Sequence, residues 1–177
     1  MRNYLLAAIS AAAISAAAVA VSAAEPIRQG FSVDPLPNWK QFGESRHDRA
    51  FFGRTDSTRQ RSVVAKVRIS PVAPRRLTMA EVRQAVETKM KQQETDRIKE
   101  FQFTLKETTL AGSPALEMRT SCLDSGTKPI SRIEARGFMV ITGSNRLLGI
   151  TVSERSSEVG FRFDEKGATE FINAVHW

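Results

Sequence analysis

The sequence predicts an α+β domain: an antiparallel β-sheet covered by two helices. Three observations predict it. Apolar and polar residues alternate through four consecutive runs between Phe101 and Ser153, the period-two pattern of strands with a buried face. A stripe at helical spacing (Met79, Val82, Val86, Met90) precedes that block, and a second (Ala168, Phe171, Ile172, Val175) follows it. An apolar sheet face must be covered, and the two stripes supply the cover.

The chain of 177 residues begins with a short basic start, Met1-Arg2-Asn3-Tyr4. Leu5 to Val21 is apolar and Ala-rich, and Ser22-Ala23-Ala24 places small residues where a signal peptidase reads them. Residues 1–24 are therefore expected to be a secretory signal peptide, cleaved after Ala24. The competing reading is an uncleaved anchor, but alanine is only weakly apolar. The site has no cysteine for a bacterial lipid anchor. Cleavage would also remove Tyr4, the only tyrosine.

Residues 25–177 are then expected to form one domain around one core. Glu25 to Gln29 reads as a loose terminus. Phe31 and Val33 alternate as a short strand, and Pro35 and Pro37 interrupt it before Trp39, a core or core-edge aromatic. His47 to Gly53 reads as a second strand and Arg54 to Arg61 as a polar turn. Val63, Ala65, Val67 and Ile69 then alternate with Val64, Lys66 and Arg68 as a third. Thr78 and Glu81 have capping-box spacing, so a helix is expected from there to about Arg97.

In the four-strand block, Leu116, Met118, Thr120 and Cys122 share one face, as do Ile133, Ala135, Gly137, Met139 and Ile141. Phe138 and Val140 lie on the other face of that third run, and Leu148, Ile150 and Val152 form the fourth. Ala111-Gly112-Ser113-Pro114 and Gly143-Ser144-Asn145 supply turns. Val159, Phe161 and Phe163 could pair briefly as a strand. Asp164 caps the last helix, whose stripe runs to Val175 and whose last turn carries His176.

The formal net charge is +7, and +6 without Arg2. Such a charge favours anionic partners: phospholipid head groups, lipopolysaccharide, acidic glycans or acidic proteins. It also serves plain solubility. Cys122 is the one cysteine, so no internal disulfide is available; its place on an apolar strand face makes it a buried small hydrophobe.

The sequence contains no Cys-x-x-Cys, His-Glu-x-x-His, Gly-x-Ser-x-Gly or phosphate-loop pattern. His47 and Asp48 are adjacent and would point to opposite faces of a strand, which is poor geometry for a dyad. With two histidines in the chain, neither an enzyme nor a metal or cofactor site is expected. The feature above background is a run of arginines, Arg46, Arg49, Arg54, Arg59 and Arg61, against Asp48 and Asp56. Arginine binds carboxylate and phosphate through two parallel hydrogen bonds. The five are a candidate partner-binding site for an acidic protein or an anionic envelope surface. Read structurally instead, they are a solvated hairpin with scattered ion pairs.

The spacing Phe31-x-Val33-x-Pro35-x-Pro37-x-Trp39, the turn Gly112-Ser113-Pro114-Ala115 and the closing segment Phe171 to Val175 resemble the PsbP-like superfamily, including DcrB-type periplasmic proteins. The resemblance spans the whole of residues 25–177. It implies an α/β/α sandwich around an antiparallel sheet, and a non-enzymatic accessory role in binding other proteins of the periplasm. That family has no shared catalytic residues to carry over. The alternative function is a carrier of a small apolar or anionic ligand, held between sheet and helix.

Overall fold

The computed structural model describes residues 30–43, 48–58 and 60–177. The expected signal peptide lies outside them, as do Arg46, His47 and Arg59. In chain order the elements are β1 (Ser32–Val33), β2 (Trp39–Gln41), β3 (Arg49–Arg54), β4 (Arg61–Ile69), α1 (Met79–Met90), β5 (Ile98–Leu110), β6 (Ser113–Asp124), β7 (Ser131–Ile141), β8 (Leu147–Ser156), α2 (Glu165–Asn173) and β9 (Val175–His176).

Among the described residues, seven strands form one sheet in the order β2-β3-β4-β8-β7-β6-β5. Every neighbouring pair is antiparallel. Two meanders, β2–β4 and β5–β8, are joined where β8 returns beside β4 over nine residue pairs, Arg61↔Ser156 to Ile69↔Leu148. The β5–β6 turn has Ala111 at φ 46° and Gly112 at φ 76°. A two-residue hairpin whose twist matches its strands needs positive φ at both centres.

The two helices lie on opposite faces, because strand side chains alternate. On one face, Val63, Val67, Phe138, Val140, Leu148, Ile150 and Val152 pack against Phe171 and Ile172 of α2. On the other, Leu116 and Met118 pack against Val82, Val86 and Met90 of α1, with Phe101, Phe103 and Leu105 around them. Each such side chain contributes roughly 1.5–3 kcal/mol by leaving water. The chain is thus a mixed α+β fold with an antiparallel sheet and a helix on each side.

α1 starts as its residues require: Thr78 accepts from the Glu81 N–H, and the Thr78 N–H donates back to Glu81 Oε2. It ends at Met90, well short of the expected Arg97. The stripe's last buried member is Met90, and Gln93 turns back to donate its side-chain N–H to Lys89 O. α2 is capped by Asp164, which accepts from the Gly167 N–H at 2.9 Å. It stops at Asn173, so Val175 and His176 are strand, not helix. They pair with Ser32 and Val33, and His176 Nε2 sits 2.8 Å from Asp34 Oδ2. Val159 to Phe163 forms no strand. Trp39 is a core-edge aromatic on β2, with its ring centroid 4.6 Å from that of Phe171.

Candidate functional site

α2 covers the β3, β4 and β8 half of its face, while α1 covers the β5 and β6 half of the opposite one. The other half of each face is more polar, and the two are built differently.

On the α2 face, that half is carried by Glu117 and Arg119 of β6 and Arg136 of β7, and α2 reaches over to it through Glu165 and Thr169. Their charges are matched in place. Arg136 Nε donates to Glu117 Oε1 at 2.8 Å, Arg119 binds Glu165, and Arg136 Nη1 donates to Thr169 Oγ1 at 2.9 Å. Both signs are present and each guanidinium has an acceptor within the chain.

On the α1 face, that half is carried by Arg49, Phe51, Val64, Lys66, Arg68, Thr151 and Ser153, all half-buried. Cross-strand register places Arg49 opposite Arg68, Phe51 opposite Lys66, and Gly53 opposite Val64. The next strand continues the rows with Gly149, Thr151 and Ser153. Three cations thus occupy neighbouring positions on two strands. Like charges placed directly opposite each other are unfavourable. Asp48 lies 3.9 Å from Arg68. Lys66 caps the Phe51 ring, its Nζ 5.3 Å from the centroid. Burial first, then the charges of Arg68 and Arg49, hold the Lys66 ammonium below its usual range. At the border, Phe42 is 40% exposed and its ring is 6.2 Å from that of Phe51. Between this half and the end of α1 lies a cavity of about 60 Å³, walled by Met90, Phe101, Met118, Ala135 and Ser153.

Alternation also divides the arginines grouped by the sequence. Arg49 faces the α1 side. Arg54 and Arg61 face the α2 side, where both join internal networks. Arg54 binds Asp56 and Asp164. Arg61 binds Glu154, which is 0% exposed and also accepts from the Asp164 N–H at 2.8 Å. Arg54 and Asp164 also edge a polar cleft of about 210 Å³ beside Trp39 and the first turn of α2. Asp124, the other wholly buried acid, accepts from Arg97 Nε at 2.7 Å and lies against Arg155. The hydrogen bond from Arg97 outweighs burial, with help from the Gly126 N–H and the Arg155 charge, and holds the Asp124 carboxyl below its usual range.

Sequence reasoning missed Lys66 and Arg68 as site residues, although it had placed both on the polar side of their strand. It also missed Asp124 and Glu154. For Glu154 the signal was present: it continues the series Leu148, Ile150, Val152.

No family model matches the chain, the PsbP-like superfamily included, and no curated protein matches it. Among solved structures, the chain is similar to LpqN, described as involved in cell envelope biogenesis of Mycobacterium tuberculosis. That match has 14% identity over 81% of this chain and 79% of that chain, with a TM-score of 0.49. No helix among the described residues is long and apolar enough to cross a membrane.

Proposed function

We propose that the protein is an exported interaction module without enzymatic activity, released by cleavage after Ala24, that binds another protein in the periplasm. The observation that carries this reading is the cationic half-face of Arg49, Lys66 and Arg68 around Phe51. An aromatic and arginine-rich surface is the composition that protein interfaces favour, and its charge selects an acidic partner. The layering of helix, sheet and helix is what the PsbP-like resemblance implies, and the accessory role follows from it. The buried acids speak for structural work: Asp124 and Glu154 are both taken up by arginine and backbone donors. The cavity of about 60 Å³ at α1 and the cleft of about 210 Å³ at α2 are both small beside the roughly 300–1,000 Å³ of sites that enclose a drug-sized ligand, which weighs against the carrier.

Capture from a periplasmic extract, followed by mass spectrometry of proteins and small molecules, tests the reading. A stoichiometric acidic protein, lost at high salt, is expected. Recovery of a small molecule with no protein would replace it with the carrier. N-terminal sequencing of the exported protein should begin at Glu25; a start at Met1 in a membrane fraction would contradict release.

A further inference from the structure

We propose that the α1 layer is a reversible oxidation site: peroxide converts Met79 and Met139 to sulfoxides, which loosens α1 and leaves the sheet and α2 in place. Such a site is independent of what the protein binds.

Every methionine among the described residues lies in this one layer. Met79 and Met90 are the first and last residues of α1. Met118 on β6 and Met139 on β7 stand on the strand face beneath it. The cluster under α2 contains none. Met118 and Met139 lie over places where the sheet has no side chain. The Met118 methyl is 3.3 Å from where a Cβ on Gly137 would stand, and Met139 Sδ is 3.3 Å from the corresponding point on Gly149. Met90 is 9% exposed and Met118 6%, while Met79 and Met139 are half-buried. A dissolved oxidant therefore reaches the latter two first.

The reaction needs the thioether and peroxide alone. The sulfur gives an electron pair to one peroxide oxygen, the O–O bond breaks, an S–O bond forms and water leaves. A flexible apolar side chain becomes a polar one. Its new oxygen accepts hydrogen bonds, and an acceptor held without a donor is unfavourable. The neighbours in this cluster are hydrocarbon, among them Leu105, Ile141 and Leu147. α1 depends on that fit. It has 12 residues and buries three of them, Val82, Val86 and Met90, and a helix of this length is marginal alone. Its capping box secures the first turn only. The Arg83–Glu107 pair, 3.5 Å apart, is exposed on both sides and holds little. The helix therefore opens locally before the rest of the molecule. Repair runs the other way: a sulfoxide reductase passes two electrons from a dithiol, which becomes a disulfide, and the sulfoxide oxygen leaves as water.

The test exposes the protein purified after export to hydrogen peroxide and follows it by peptide mass spectrometry and amide hydrogen exchange. Met79 and Met139 should gain oxygen before Met90 and Met118. Amides of α1 should then exchange about tenfold faster or more, while those of α2, β4 and β8 keep their rates. Methionine sulfoxide reductases with a dithiol should restore the original exchange. Met79→Leu with Met139→Leu nearly conserves side-chain volume, and the same peroxide dose should leave its α1 exchange unchanged. Cys122→Ala should respond as the unaltered protein does; a variant that no longer responds would move the effect to the thiol and overturn the proposal. Sulfoxides at Met79 and Met139 without faster exchange in α1 would also overturn it, as would equal loosening of α2 or of the double leucine variant. Oxidation of Met90 and Met118 first, or none in the folded protein, would do the same. The oxidation and repair measurements use no variant, so they decide the matter even if the leucine variant fails to fold.

Discussion

Glu154 follows Leu148, Ile150 and Val152 on the core side of β8 and is as buried as they are. A carboxylate is placed there only with partners, and it has Arg61 and the Asp164 N–H. Glu154→Ala removes the acceptor of both and should lower stability by about 1–3 kcal/mol, the cost of leaving the Asp164 N–H without its acceptor, since Arg61 is 38% exposed and can turn to water. Urea unfolding checks this, and a loss below about 0.5 kcal/mol, the level of an ordinary surface change, would show the pair to be dispensable. Cys122 gives a second prediction at this scale. Burial pushes its thiol up to about 11, with the Asp124 charge adding to it. Native protein at pH 8 should therefore react with iodoacetamide far more slowly than unfolded protein, and equal rates would contradict burial. Cys122→Ala should cost about 1 kcal/mol through a small cavity. The position of Cys122 was legible from alternation alone. The roles of Arg54 and Arg61 were not. Spacing groups arginines along the chain, but strand geometry sends Arg49 to one face and Arg54 and Arg61 to the other, toward acids that stand more than 90 residues away in sequence.

Strand and helix identities were largely legible, and their ends were not. Period-two alternation and a capping box are local signals, so β4 to β8 and the start of α1 could be read directly. The end of α1 depends on where Met90 runs out of sheet to cover, which is a tertiary fact. The turn to β9 depends on Ser32 and Val33 being free to pair at the other end of the chain. Edge protection was also invisible. β5 is a long edge strand, and its register shifts between Lys99 and Gln102, with Glu100 at φ 53°. Bulges of this kind discourage further strand pairing. Gly137 on β7 marks a close approach that sequence treated as one more small residue in an apolar series. A Cβ there would stand 2.7 Å from the Ile150 carbonyl oxygen and 3.0 Å from Thr151 Oγ1. Ile150 O is backbone in the middle of the sheet and cannot easily move. Gly137→Ala should then lose about 1–3 kcal/mol, as overpacking does, despite the higher strand propensity of alanine. A stabilised variant in urea would show that β7 and β8 can separate without cost.

At the scale of the molecule, the diagonal placement of α1 and α2 decides what remains exposed. Helical spacing predicted two covers but not which half each takes, because that follows from α1 crossing from β4 to the far edge at β5. The same arrangement concentrates charge pairs at the ends of the strands and sets the response to acid. Two carboxylates there are held below their usual range: Asp124 chiefly by the hydrogen bond from Arg97, and Asp164 chiefly by the Gly167 N–H, with Arg54 adding to it. In the unfolded chain both titrate near the ordinary value of about 3.9. As pH falls through that value, the unfolded state takes up protons that the folded state still refuses. The stabilisation is therefore complete above about pH 5 and is lost progressively as pH falls through 4 and below toward the folded values. Melting temperature should be flat from pH 7 to about 5 and then fall. Asp124→Asn should start lower at pH 7, since Arg97 and Arg155 lose their charged acceptor. It should also fall less steeply below pH 4, because one of the depressed carboxyls is gone. Thermal melts of both proteins across that range decide it. Parallel acid slopes would mean that Asp124 titrates alike in the folded and unfolded chain, and that its arginine pairs contribute no pH-dependent stability.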